Sequence, residues 1–145
     1  MVEFWEDAIR GFVEYTGHAL LANKRTVKNN TSSACVKFTL YKYEHRFEVT
    51  ISYSWSFSSP VIHFRAFTLE SNEYILDLDK LQTLLPHMKT GGEGIYQGAI
   101  TIDHDPIDTL GCYMVHPCRV CDILGEMPNL RPQDYLVSFW NLYGL

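Results

Sequence analysis

The chain has 145 residues, of which 46% are hydrophobic and 20% are charged, and its formal net charge is -5. This length predicts a single domain over residues 1–145 that buries roughly 70% of the surface of its unfolded chain, without needing a metal or a disulfide. The acidic balance argues against nucleic-acid binding, and no apolar run approaches the ~18 residues of an integral membrane segment.

Four cysteines occur in the chain, and three of them fall within ten residues. They are Cys35, Cys112, Cys118 and Cys121. The start of the sequence has no basic and apolar leader of the secretory type, so we expect a cytoplasmic protein. Cytosolic reductants keep such residues as thiols, which leaves reactivity, metal binding or packing as their roles.

The first half of the chain predicts one helix followed by an antiparallel meander. Residues 3–22 repeat apolar side chains at spacings of three and four, which is typical of an amphipathic helix. Alternating apolar residues predict strands over 34–43 and 47–55, joined by a short polar turn as a hairpin. A third strand over 61–67 follows the turn Ser58-Ser59-Pro60.

The second half predicts a short helix over 77–85, a glycine-rich loop at 91–94, a strand over 95–102 and an apolar run over 110–115. A closing helix over 134–143 places aromatic and apolar residues on one stripe. The glycine-rich loop lacks the lysine and hydroxyl residue of a phosphate-binding loop. We therefore expect an α+β fold with one antiparallel meander sheet flanked by N-terminal and C-terminal helices.

Cys118 stands directly after His116-Pro117, where the apolar run gives way to a turn. Such a thiol is anchored on one side and open on the other, which suits a nucleophile. Arg119 follows it, and a nearby cation favours thiolate over thiol. We predict that Cys118 is the catalytic nucleophile and that His116 and Pro117 support its position.

The sequence alone leaves other roles open for the cysteines and the histidine of residues 112–121. Cys112, His116, Cys118 and Cys121 have the atom types of a zinc site, but they form one short stretch instead of two separated ligand pairs, so we expect no metal. A dithiol pair would need the βαβ pattern of a thioredoxin-like domain, which is missing. A cysteine protease with His104 as its base is not eliminated.

The tripeptide His116-Pro117-Cys118 after an apolar strand resembles the active site of the autophagy E2-like conjugating enzymes. The stretch His104-Asp105-Pro106 with Gly111, and the C-terminal segment 135–145, are also similar to that family's pattern. The order of helix, meander, cysteine and helix resembles an E2-like core. The chain is too short for the long acidic insertions of the lipid-conjugating branch, so it looks like the branch of autophagy-related protein ten.

This resemblance implies that Cys118 accepts a ubiquitin-like autophagy modifier, autophagy-related protein twelve, as a thioester from an E1-like activating enzyme. The modifier then passes to a lysine of the acceptor, autophagy-related protein five, and no cofactor takes part. The expected location is the cytoplasm, with recruitment to the preautophagosomal membrane through partners. The alternative is an inert E2-like adaptor in which Cys118 is structural.

The aromatic residues of the meander are candidates for partner binding, since exposed tyrosine and tryptophan are typical interface anchors. They are Tyr41, Tyr43, Tyr53, Trp55 and Phe57. We predict that Tyr41 and Tyr43 bind the acceptor, with a core role as the alternative.

The donor that would stabilise the oxyanion is open, because no asparagine lies between Asn72 and Asn129. Thr109, Tyr113 or a meander tyrosine are the candidates. The aspartates at 103, 105 and 108 form either a docking face or a solvated acidic loop.

Overall fold

A computed structural model describes residues 2–16, 22–28, 31–85, 100–106, 110–117, 124–126 and 129–145. The helices and strands in these ranges are, in chain order, α1 (Val2–Thr16), β1 (Ala22–Lys28), β2 (Thr31–Lys42), β3 (His45–Ser54), β4 (Ser59–Thr68), α2 (Leu78–Leu84), β5 (Ile100–His104), β6 (Gly111–Val115) and α3 (Pro132–Tyr143).

The described strands form one sheet in the order β1-β2-β3-β4-β6-β5. Every neighbouring pair is antiparallel, so β1 to β4 form a meander and the β5–β6 hairpin joins it through β6. Val115 of β6 pairs with Ile62 of β4 and with Ile100 of β5. The end of β6 is therefore held between two strands.

One face of the sheet carries the hydrophobic core, and α1 and α3 lie over it. Phe47, Val49 and Ile51 of β3 are fully buried there, and the rings of Phe12 and Phe38 join α1 to β2 at 5.7 Å between centroids. Because successive residues of a strand point to opposite faces, the alternating apolar residues of β2 and β3 all reach this core.

The two long helices cross at close range. A Cβ atom on Gly11 of α1 would stand 1.9 Å from the carbonyl oxygen of Gln133 in α3. Only glycine permits this approach, since that distance is far below a van der Waals contact. The crossing closes the core between the helices, where Phe12 and Phe139 are buried.

The opposite face of the sheet is polar but also largely covered. Thr50, His63 and Arg65 are buried on it, and Arg65 Nε donates a hydrogen bond to the carbonyl of Gly111 at 3.1 Å. Asp105 follows the edge strand β5, yet its carboxylate accepts a hydrogen bond from Thr50 Oγ1 of β3 at 3.0 Å. The chain after β5 therefore brings Asp105 next to Thr50, although β4 and β6 lie between β3 and β5 in the sheet.

The expected meander between flanking helices is confirmed, with differences at the boundaries. Helix α1 ends at Thr16 instead of reaching residue 22, and residues 22–28 form strand β1, which the sequence analysis missed. Strand β4 begins at Ser59 and includes Pro60, which we had placed in a turn. No helix in the described ranges is long and apolar enough to cross a membrane.

Candidate active site

The motif His116-Pro117 continues directly from the end of β6. His116 is partly buried and Pro117 is buried, whereas Cys118 and Cys121 lie outside the described residues. Because β6 pairs on both sides, with β4 and with β5, the residues that precede position 118 leave the sheet from a fixed point. The nucleophile role of Cys118 stays a prediction.

The turn between β3 and β4, residues 55–58, lies at the same end of the sheet as this motif. Strand β6 runs antiparallel to β4, so its last residues lie beside the first residues of β4. The rings of Phe57 and His116 meet edge to face, with centroids 5.5 Å apart. The turn therefore packs against the residue two positions before the predicted nucleophile.

Tyr41 and Tyr43 lie at the other end of β3, beside the turn that joins β2 to β3. Their exposed fractions are 66% and 46%. Strand β3 has ten residues, which corresponds to roughly 30 Å at ~3.3 Å per residue. The structure thus does not bring the two tyrosines together with His116 and Pro117.

Lys42 connects the β2–β3 turn to the C-terminal segment. Lys42 Nζ donates a hydrogen bond to the main-chain oxygen of Leu145 at 2.9 Å and stands 4.9 Å from the ring centroid of Tyr43. Tyr43 and Glu44 both have left-handed backbones, with φ of 53° and 58°. A two-residue turn of this kind matches the twist of the flanking strands.

Tyr113 is not available as an oxyanion donor, which corrects one of our candidates. Its hydroxyl donates a hydrogen bond to the carbonyl of Ile75 at 2.8 Å, within the core. Burial raises the pKa of Tyr113, and Tyr74 and Asp77 raise it further. Of the other named candidates, Thr109 lies outside the described residues.

Ser59 was missed by the sequence analysis. It begins β4, immediately after the β3–β4 turn, and it is completely buried. In the part of the chain that the structure describes, its hydroxyl has no hydrogen-bond partner. Burial of an unpaired hydroxyl costs free energy. Nothing in the sequence indicates this burial, because serine beside proline is typical of a turn.

The acidic residues of this region are engaged with the sheet. Asp103 Oδ2 lies 3.1 Å from His63 Nε2. Partial burial acts to raise the pKa of Asp103, but hydrogen bonds from the His104 N–H and from His63, with the charges of both histidines, outweigh it and lower that pKa. Asp105 is 4% exposed, so the prediction of a solvated acidic loop is wrong for this residue.

The zinc interpretation requires residues that the structure does not describe. Cys112 is described and buried, but two of the four candidate ligands, Cys118 and Cys121, fall outside the described ranges. Within those ranges no three His, Cys, Asp or Glu side chains are placed to hold a metal ion.

Comparison with known proteins identifies the family. Residues 11–145 match the family model described as "Autophagocytosis associated protein, active-site domain". A comparison with curated protein sequences found no match.

Two solved structures share the fold of the chain. The solution structures of KmAtg10 are 16% identical, with a TM-score of 0.54 and coverage of 97% of this chain and 88% of that one. The crystal structure of the autophagic E2 Atg10 is 13% identical, with a TM-score of 0.58 and coverage of 97% and 90%. Since the family model spans nearly the whole chain, this chain belongs to the family of autophagocytosis-associated proteins, and it shares the fold of the two Atg10 structures.

Proposed function

We propose that Cys118 carries autophagy-related protein twelve as a thioester and passes it to a lysine of autophagy-related protein five. The observation that carries this proposal is the placement of His116-Pro117 at the end of a strand paired on both sides, within the region matched by the active-site family. We further propose that the enzyme works in the cytoplasm and reaches the preautophagosomal membrane through its partners.

The chemistry consists of two acyl transfers. Cys118 Sγ attacks the carbonyl of the modifier's C-terminal glycine on the E1-like enzyme, and the E1 thiolate leaves. The lysine amine of the acceptor then attacks the new thioester, loses a proton and expels the Cys118 thiolate. The amide product is more stable than the thioester, so the second transfer needs no ATP.

What the protein contributes is orientation. Holding two reacting groups in the correct geometry can lower a barrier by roughly 7 to 11 kcal/mol. Two paired strands fix the end of β6, and Pro117 restricts the backbone just before position 118. The contact between His116 and Phe57 adds a third support for the same few residues.

We propose that Tyr41 and Tyr43 bind the acceptor at a distance from the thiol. Their exposure of 66% and 46% leaves both rings free to pack against a partner. The separation of roughly 30 Å from the thiol motif is about the diameter of a small domain. One acceptor protein can therefore contact the tyrosines while its lysine reaches position 118.

A reconstituted charging reaction tests this function. The chain is incubated with the E1-like enzyme, ATP and the modifier, and the product is run on a non-reducing gel. We expect an adduct that reductant removes, and none with Cys118→Ala. Cys121→Ala is the matched control and should charge normally.

Two outcomes of that reaction contradict the proposal. A reducible adduct that persists in Cys118→Ala would move the nucleophile elsewhere. Failure of the wild-type chain to charge, while the same E1-like enzyme is loaded with modifier, would favour the inert adaptor.

A further inference from the structure

The β3–β4 turn exposes two large aromatic side chains next to the thiol motif. Trp55 and Phe57 are 40% and 43% exposed. The motif starts two residues from position 118 at His116, whose ring contacts Phe57 at 5.5 Å. Consecutive Cα atoms are 3.8 Å apart, so the Cα atom at position 118 lies within ~7.6 Å of that of His116 and within roughly 17 Å of the Phe57 ring.

Other aromatic side chains support the exposed ring of Trp55. Trp55 packs edge to face on Tyr53 at 5.0 Å, and Tyr53 packs in turn on the buried Trp5 of α1 at 5.4 Å. This stack connects the turn to the helix layer. The exposed rings therefore form a supported surface, which lowers the entropy lost when a partner binds.

The surface is also free of charge. Residues 53–62 contain no Asp, Glu, Lys or Arg, although a fifth of the chain is charged. Ser54, Ser56 and Ser58 offer hydroxyl groups beside the aromatic rings, whereas Ser59 is completely buried. A charged partner finds no complementary group here, whereas an uncharged extended peptide finds apolar rings and hydrogen-bonding groups.

We propose that the Trp55–Phe57 turn docks the extended C-terminal tail of the modifier while its terminal glycine is joined to Cys118. This inference rests on the proposed function, which requires such a tail to reach the thiol. An extended tail advances ~3.3 Å per residue, so about five residues before the terminal glycine are enough to span the distance from position 118 to the Phe57 ring. The turn then orients the glycine carbonyl for both acyl transfers.

The test measures transfer from pre-loaded E1-like enzyme to the chain, as a function of the concentration of the loaded enzyme. The variant is Trp55→Ser with Phe57→Ser, and the matched control is Leu69→Ser with Leu76→Ser, which removes two exposed apolar side chains elsewhere on the surface. Interface aromatics commonly contribute at least a few-fold each, so we expect roughly tenfold slower charging at low concentration for the first variant. The control should charge at the wild-type rate.

A second measurement shows whether the tail itself contacts the turn. Replacing the residues just before the modifier's terminal glycine with aspartate should slow charging of the wild-type chain. The same change should have little further effect on the Trp55/Phe57 variant, because this variant already lacks the contact between the tail and the turn. Circular dichroism and thermal unfolding establish that the variant is folded.

Three results would overturn the inference. In the first, the folded Trp55/Phe57 variant is charged at the wild-type rate. In the second, the aspartate substitutions in the tail slow the charging of this variant as much as they slow that of the wild-type chain. In the third, the variant is charged normally but transfers the modifier slowly to the acceptor. The last would make the turn an acceptor site. None of them contradicts the proposed thioester on Cys118, which is overturned instead by charging of Cys118→Ala or by failure of the wild-type chain to charge.

Discussion

The two turns at opposite ends of β3 differ in charge, support and distance from the thiol motif. The β2–β3 turn is flanked by Lys42 and His45 and contains Glu44, and Lys42 joins it to the main chain of Leu145. The β3–β4 turn is neutral; its Trp55 is joined to α1 through Tyr53, and its Phe57 contacts His116. The difference suggests that one sheet separates two recognition tasks, acceptor binding at the charged turn and tail binding at the neutral one.

Removing the aromatic surface of the charged turn should have the largest effect on transfer to the acceptor. Tyr41→Ala with Tyr43→Ala should slow transfer from the charged enzyme to the acceptor by roughly ten- to a hundredfold, as expected for two interface anchors. Charging should stay at the wild-type rate because the thiol motif lies at the other end of β3. Single-turnover discharge of a preformed thioester measures the effect.

The control for this variant is Leu76→Ala, which removes another highly exposed apolar side chain from a different part of the surface. It should leave both steps unchanged. Loss of charging together with discharge in the tyrosine variant, without unfolding, would show that the two turns do not act separately.

Substitutions on the polar face of the sheet, between the two turns, should mainly change the free energy of unfolding. Thr50→Val keeps the shape of the side chain but removes the hydroxyl that donates to the buried Asp105. We expect the free energy of unfolding to fall by about 2 kcal/mol, since a buried carboxylate loses a hydrogen bond. Urea denaturation measures the change.

Thr101→Val is the matched control, since the buried hydroxyl of Thr101 has no partner in the described part of the chain. Its stability should stay the same or rise. An equal loss in both variants would mean that the methyl group, and not the missing hydrogen bond, causes the effect.

Left-handed backbone occurs in both turns, at Tyr43 and Glu44 in the β2–β3 turn and at Ser58 in the β3–β4 turn. Glu44 has φ of 58°, a conformation that glycine adopts without the steric cost that other residues carry. Glu44→Gly should therefore raise the free energy of unfolding by about 1 kcal/mol without changing the charging rate. A loss of stability would show that the Glu44 side chain stabilises the turn more than its backbone costs.

The smallest expected effect is the pH dependence of the Asp103–His63 pair at the edge of the sheet. The pKa of Asp103 is lowered in the folded chain, so the pair stabilises the fold at pH values above the usual carboxyl pKa of 3.8. This contribution is lost as pH falls through the lowered pKa.

Asp103→Asn should therefore be less stable than the wild-type chain at neutral pH, and the difference should shrink in acid. Thermal unfolding across this pH range is the measurement. A difference that does not change with pH would assign the effect to packing.

Local patterns in the sequence predicted the elements well where side chains alternate or repeat regularly. The alternating apolar residues of β2 and β3 lie in the core or pack against it. Asp77 caps α2 by accepting a hydrogen bond from the Asp79 N–H at 2.9 Å. Strand β1 was missed because residues 22–28 have few apolar residues and no alternation. Its pairing with β2 defines it as a strand.

The arrangement of the site depends on pairings that are distant in sequence. The insertion of β6 between β4 and β5 brings His116 against Phe57, although 59 positions separate the two residues in the chain. Alternation in β6 shows that Tyr113 and Val115 share a face, but it does not show which face meets the helices. The sequence alone therefore leaves Tyr113 as a possible oxyanion donor, whereas in the structure its hydroxyl donates a hydrogen bond to the carbonyl of Ile75.

Mapping the covalent bond in the adduct shows whether residue 118 carries the modifier. Cys118→Ser should retain the modifier as an ester that resists reductant and is cleaved by hydroxylamine. Fragmentation of the digested adduct by mass spectrometry should place the modifier's C-terminal glycine on residue 118. Attachment to Cys35, Cys112 or Cys121 in the wild-type chain, with residue 118 unmodified, would contradict the account.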